Sequence, residues 1–312
     1  MCLPDRFLRL YFVPMTNKIA LPIKLMTRER VHTARPVPPE AFFICSAIFH
    51  YLGPAFAVLL FARVDVLGVA WLRIASAAVI FAFWKRPWRM FAELGTVERR
   101  IVVALGFVLA AMNICFYLAI NRLPLGTVGT IEFLGPIALA ALGVRTMRNL
   151  AGLLLACGGV FLLTSVRISG EPIGYIFAFA NCALFVLYIL LGHRIAANGG
   201  RGGVERLAMA MLIAGIVITP IGLRSASEAL LDPILLLAGA GVGVCSSVIP
   251  YICDQFAMAR LSKATFALML SLLPATACLV GLIVLRQVPS LYELTGVGAV
   301  IAGVALKRSA ND

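Results

Sequence analysis

Three ionisable residues stand inside otherwise apolar stretches: Arg73, Glu132 and Asp254. A charge in hydrocarbon is costly, so such residues point to a transport path, a coupling step or an ion pair. Glu132 lies nine residues past Leu123, about 13 Å deep at 1.5 Å per helical residue. Arg73 enters from the same side and reaches about 10 Å. Equal depth allows the two to pair, which lowers the cost of each charge. Asp254 precedes Arg260 by six residues, about 9 Å from the opposite edge. Two carboxylates staggered in this way suit a proton or cation site reached alternately from the two sides. The plainer readings are that Arg73–Glu132 only pins two helices and that Asp254 is an interfacial partner of Arg260 or Lys263.

Uncharged polar residues extend the pattern. Asn113 and Tyr117 are i and i+4 and share a helix face, and Tyr251 and Gln255 have the same spacing later in the chain. Two such faces read as walls of an amphipathic substrate path, with Tyr188 and Ser271 as further candidates. Ordinary interhelical hydrogen bonding is the rival explanation. His50-Tyr51 reads as packing. Pro136 and Pro274 each remove a backbone donor and leave the carbonyl four residues back, on Glu132 and Leu270, without its helical partner. With Gly135 beside the first, they are candidate hinges or site-lining kinks; static packing bends are the alternative.

The elements that must position these residues follow from composition. Of 312 residues, 62% are hydrophobic and 13% charged, with a mean hydropathy of +0.99. A soluble domain keeps about 25% charged residues, so lipid must be the solvent for most of this chain. Ten apolar stretches suffice to span a bilayer as helices: 41–61, 66–84, 100–120, 124–144, 149–166, 173–192, 204–222, 234–256, 264–285 and 290–306. Of 27 Lys and Arg, 21 fall in the tails and alternate connections and five in the intervening ones. That asymmetry predicts both termini in the cytoplasm and explains the net charge of +13 without nucleic acid. Residues 1–40 read as a basic cytosolic tail without a secretory signal, with Met26 as a second candidate start. Seven of the eight cysteines lie in apolar runs without metal spacing and read as small packing residues. No cofactor or metal is expected.

The chain also repeats. Shifted by 138 residues, Ala119, Arg122, Leu123, Thr127, Leu134, Pro136 and Gly143 fall on Ala257, Arg260, Leu261, Thr265, Leu272, Pro274 and Gly281. Shifted by 144, Gly152, Gly159 and Val160 fall on Gly296, Gly303 and Val304. The expected fold is therefore all-α, polytopic, with ten transmembrane helices as two inverted five-helix repeats over 41–166 and 173–306. An odd number of spans per repeat inverts the second half, the architecture that lets a central site alternate between two faces.

The sequence resembles the EamA-type branch of the drug/metabolite transporter superfamily, most of all its threonine/homoserine exporter group. The residues that carry the resemblance are Leu72-Arg73 with the apolar run to Lys85, Asn113, and Tyr117 through Ile120. It continues in Leu123-Pro124-Leu125-Gly126, Glu132-Phe133-Leu134-Gly135-Pro136, Tyr188-Ile189-Leu190, Pro250-Tyr251, Asp254, and Arg260-Leu261 through Pro274. The resemblance implies a ten-helix bundle of the cell (inner) membrane that exports small metabolites, commonly amino acids, by alternating access. Similar proteins usually carry Glu before the proline of span nine and Gly-Glu at that span's end. Here Leu273 and Arg286-Gln287 occupy those places.

The expected function is thus an efflux carrier for small amphipathic metabolites, driven by proton entry at Glu132 or Asp254, with a small-molecule substrate and the lipid bilayer as partners. An uncoupled uniporter or exchanger and an exporter of drugs or organic cations are the alternatives. An enzyme is disfavoured by the absence of a catalytic motif, and a scaffold would need neither the repeat nor the buried charges. Whether a homodimer forms is left open.

Overall fold

The computed structural model describes residues 37–123, 125–142, 144, 146–163, 171–197, 199–273, 276 and 291–306. Pro274, Arg286-Gln287 and most of the basic tail lie outside the described residues. Within them every regular element is helical: α1 (Pro39–Leu60), α2 (Val66–Lys85), α3 (Pro87–Glu93), α4 (Thr96–Ile120), α5 (Leu125–Ala141), α6 (Met147–Leu163), α7 (Pro172–Ala196) and α8 (Gly200–Gly222). Then come α9 (Ser227–Leu231), α10 (Pro233–Gly243), a π-helical turn (Val244–Val248), α11 (Ile249–Met258), α12 (Lys263–Met269) and α13 (Leu291–Leu306).

Helix starts follow from local chemistry. Asp65 caps α2 through Leu67 N–H, Asp232 caps α10 through Ile234 N–H, and Ser262 caps α12 through Thr265 N–H. Each side-chain oxygen satisfies a backbone donor that the first turn leaves free. Pro39, Pro87, Pro172 and Pro233 occupy first-turn positions, where a missing N–H costs nothing.

Among the described residues five segments are long and apolar enough to cross a membrane: α2, α4, α7, α8 and the continuous run Pro233–Met258. Side-chain placement is inverted relative to a soluble globule. Phe83, Leu142, Phe161, Ile176 and Leu237 face outward, while Arg73, Asn113, Asn181, Ser246, Ser247, Asp254 and Gln255 are buried. Such an exterior is stable against lipid and leaves the polar groups to one another.

Helix α2 packs on α8, α4 on α7 and α8, α1 on α10 and α11, and α6 on α13. The last contact is a glycine seam. A Cβ on Gly152 would stand 2.7 Å from the Gly303 carbonyl oxygen, one on Gly303 2.5 Å from the Gly152 oxygen, and one on Gly159 2.6 Å from the Gly296 oxygen. Backbone cannot yield as a side chain would, so these positions exclude larger residues.

Gly152→Leu and Gly303→Leu are each expected to destabilise the folded protein by about 1–3 kcal/mol or more. Gly158→Leu should be near neutral, because its Cβ would meet nothing within 4 Å. Thermal unfolding in detergent checks this; equal melting temperatures for all three variants would contradict the seam.

Candidate functional site

Arg73, only 6% exposed, is anchored by a defect in the neighbouring helix. Pro250 has no N–H to offer the carbonyl four residues back, on Ser246. The chain here winds as a π turn between α10 and α11, a feature frequent at functional positions. The Ser246 carbonyl accepts from Arg73 Nη2 at 2.8 Å, and Ser247 Oγ accepts from Arg73 Nε at 2.9 Å. Arg73 also lies within electrostatic reach of Tyr117, Tyr251, Glu132 and His50.

Asp254, from α11, accepts from Ser46 Oγ of α1 at 2.6 Å and from the Tyr188 hydroxyl of α7 at 2.8 Å. The carboxylate is thus met by two buried neutral donors, while Arg260 is turned to the Val37 carbonyl. Tyr188 stacks on Phe185, with ring centroids 5.9 Å apart, and meets Tyr251 at 5.3 Å. Tyr251 lies near both Asp254 and Arg73.

Glu132, on α5, is half-buried and accepts from Asn181 Nδ2 of α7 at 3.0 Å. The expected Arg73–Glu132 contact pair is not formed. Among the described residues the ion pairs are Arg122–Glu171 and Arg206–Glu98. The guanidinium is held instead by acceptors on the π turn, which the depth argument could not include.

The other candidates divide. Asn113 donates to Leu109 O at 2.8 Å and lies beside Tyr251 without hydrogen-bond alignment. Tyr117 is buried edge-on against Phe61 and Phe116 near Arg73. These two join the cluster with Tyr188 and Tyr251. Gln255 faces another way, towards Met258 and the α7–α8 junction: a Cβ on Gly203 would stand 2.6 Å from its Oε1. Ser271 donates to Leu268 O at 2.6 Å and borders a small void with Phe133, Pro136, Ile137 and Leu153. Gly135 is a close approach to Val186 and Cys182 on α7, and α5 runs on through Pro136. Pro274 lies outside the described residues.

Four residues escaped sequence reasoning: Ser46, Asn181, Ser246 and Ser247. They are small or uncharged, and their partners are distant in the chain. Pro250 four residues after Ser246 was the available signal.

Comparison with known proteins fits this geometry. The family model described as the EamA-like transporter family matches residues 172–308. Over 257 residues the chain is 32% identical to the threonine/homoserine exporter RhtA of Escherichia coli (strain K12), covering 80% of this chain and 84% of that protein. The chain belongs to the EamA-like transporter family. The exporter of the same name from Salmonella typhimurium (strain LT2) is 32% identical over 256 residues. One crystal structure superposes with a TM-score of 0.64 at 18% identity, covering 86% of this chain and 96% of that one, so the fold is one already seen in a solved structure. As an EamA-like protein with several apolar spanning helices, the chain is a multi-pass membrane transporter and not an enzyme.

Ser46→Ala and Tyr188→Phe should each cost about 1–3 kcal/mol, the usual loss when a buried charged acceptor is deprived of a donor. Each loss should shrink in an Asp254→Leu background, with a coupling of about 0.5–3 kcal/mol. Reversible unfolding in mixed micelles measures both, and simple additivity would argue against the contacts.

Proposed function

We propose that the chain exports small amphipathic metabolites, first of all amino acids of the threonine and homoserine kind, by proton-coupled alternating access. Its ten spans form two inverted five-helix halves in the cell (inner) membrane, with both termini in the cytoplasm.

The observation that carries this reading is that every charge of the cluster is hydrogen-bonded to the opposite half. Arg73 of the first half is bound by Ser246 and Ser247 of the second, Glu132 by Asn181, and Asp254 of the second half by Ser46 of the first. Rocking two halves about a central site must remake these bonds, so a proton placed among them biases which way the halves lie. The helix packing supports the inverted repeat. Gly152 and Gly159 are the repeat counterparts of Gly296 and Gly303, yet Gly152 meets Gly303 and Gly159 meets Gly296. Partner exchange of this kind is the signature of a two-fold axis. The α4–α7 contact likewise answers to α11–α1. The substrate class rests on the similarity to threonine/homoserine exporters.

Asp254 is the better placed coupling residue, because it is the more deeply buried carboxylate and touches both halves. One observation favours an uncoupled exchanger instead: the buried Leu273 stands where similar proteins usually carry Glu. Purified protein in proteoliposomes separates the two. Wild type should drive labelled threonine against its gradient when a pH gradient is imposed. Asp254→Asn should keep threonine exchange but lose at least about tenfold of the pH-driven flux, a barrier change near 1.4 kcal/mol. Absence of any pH dependence in wild type would leave the uncoupled exchanger as the better account.

Topology is tested separately. Reporter fusions after Arg308 and after Arg89 should report cytoplasm, and one after Glu228 the outside. A carboxyl terminus outside the cell would be incompatible with two inverted halves.

A further inference from the structure

Arg73 and Glu132 are opposite charges that sense each other across the buried cluster without reaching the 4.0 Å of an ion pair. Each is held by groups that do not cancel its charge. The guanidinium is tied by Nε and Nη2 to the π turn, and Glu132 Oε1 is tied to Asn181 Nδ2. Two further polar atoms are left over. Asn181 is fully buried, and its Oδ1 has no hydrogen-bond partner among the described residues. With Glu132 ionised only Nδ2 can serve the carboxylate, so the remaining amide atom, Oδ1, is an acceptor waiting for a donor. On the other side, the Tyr251 hydroxyl is buried near Arg73 and beside Asn113, and it makes no aligned hydrogen bond among the described residues. Buried polar atoms without partners are costly, and two of them flanking an unclosed charge pair mark a site built for something polar.

The geometry points to a zwitterion clamp: Arg73 with the Tyr251 hydroxyl takes the α-carboxylate of an amino acid, and Glu132 with Asn181 Oδ1 takes its α-ammonium group. This deepens the proposed function and rests on it. An α-amino acid carries its two charges on one carbon, so it completes both half-sites at once. A molecule lacking either charge leaves one buried ion and one polar atom unsatisfied. Such sites discriminate by orders of magnitude, because the penalty lies in groups the wrong ligand cannot pair. The clamp selects against organic cations and N-acylated amino acids alike. The Asp254 cluster remains free for the coupling proton.

The test is counterflow of labelled L-threonine in proteoliposomes, with L-homoserine, L-threoninol and N-acetyl-L-threonine as unlabelled competitors. Wild type should be inhibited by homoserine, and roughly tenfold or more weakly by threoninol, which lacks the carboxylate, and by N-acetylthreonine, which lacks the ammonium group. Arg73→Gln should raise the KM for threonine about tenfold or more and narrow the gap to threoninol. Glu132→Gln and Asn181→Leu should narrow the gap to N-acetylthreonine instead. Equal inhibition of wild type by all three competitors overturns the clamp while leaving amino-acid export intact, and this arm needs no variant to fold. Folded variants with unchanged KM and selectivity overturn it as well. Wild type that neither exchanges nor exports any amino acid overturns the proposed function itself, and the clamp with it.

Discussion

A permanent positive charge in the interior of a lipid-facing bundle must find acceptors, and much of this structure follows from how Arg73 finds them. Helical backbone in a membrane ordinarily spends every carbonyl on its own ladder. Pro250 withholds one N–H, and the π turn presents Ser246 O and Ser247 Oγ to the guanidinium. That requires α2 to lie close against α10 and the turn. Gly243 allows it: a Cβ there would run into Ser76 and stand 2.8 Å from the Arg73 carbonyl oxygen. One missing hydrogen on Pro250 thereby fixes a helix pair and a charge.

The same economy governs the carboxylates. Among the described residues neither Glu132 nor Asp254 is neutralised by a contacting base; each is met by neutral donors, Asn181 for one and Ser46 with Tyr188 for the other. Neutral donors lower the cost of a buried charge without cancelling it. The charge therefore stays available to a proton or a ligand, which a closed ion pair would preclude. Stability alone would favour apolar residues at these positions, and their presence fits a transporter.

Sequence reasoning found the charges and the helices that carry them, because one ionic residue in twenty apolar ones is a strong signal. Asn113, Tyr117 and Tyr251 were legible for a related reason: polar and aromatic residues at helical spacing share a face, whereas Tyr188 was only a further candidate. The contact pattern was not legible. Depth put Arg73 opposite Glu132, but depth is one coordinate, and azimuth about each helix axis decides who touches whom. Ser46 meets Asp254 across 208 residues of chain, and a serine in an apolar run has too many bland explanations to stand out. Gln255 was misjudged in direction for the same reason. It shares Tyr251's face but lies one turn further on, where α7 and α8 close over it. Gly135 looked flexible in the sequence, whereas its neighbours Val186 and Cys182 show a contact that needs a missing Cβ.

The two kinds of contact that join the proposed halves differ in what motion they permit. The α6–α13 seam is backbone against backbone, with carbonyl oxygens where a Cβ would stand. Dispersion between close-packed backbones falls off steeply with separation, so this seam resists opening and suits a fulcrum. Across the halves the polar cluster consists of hydrogen bonds from Arg73, Ser46 and Asn181. Interhelical side-chain bonds in membranes average about 0.6 kcal/mol, and the larger loss of about 1–3 kcal/mol arises only when a buried charge is left without its donor. Bonds that weak can be exchanged one for another at low cost, provided no charge is left bare in between. A substrate that supplies both a carboxylate and an ammonium group meets that condition while the protein's own bonds are being remade. The same chemistry that would recognise an amino acid would then lower the barrier to moving it.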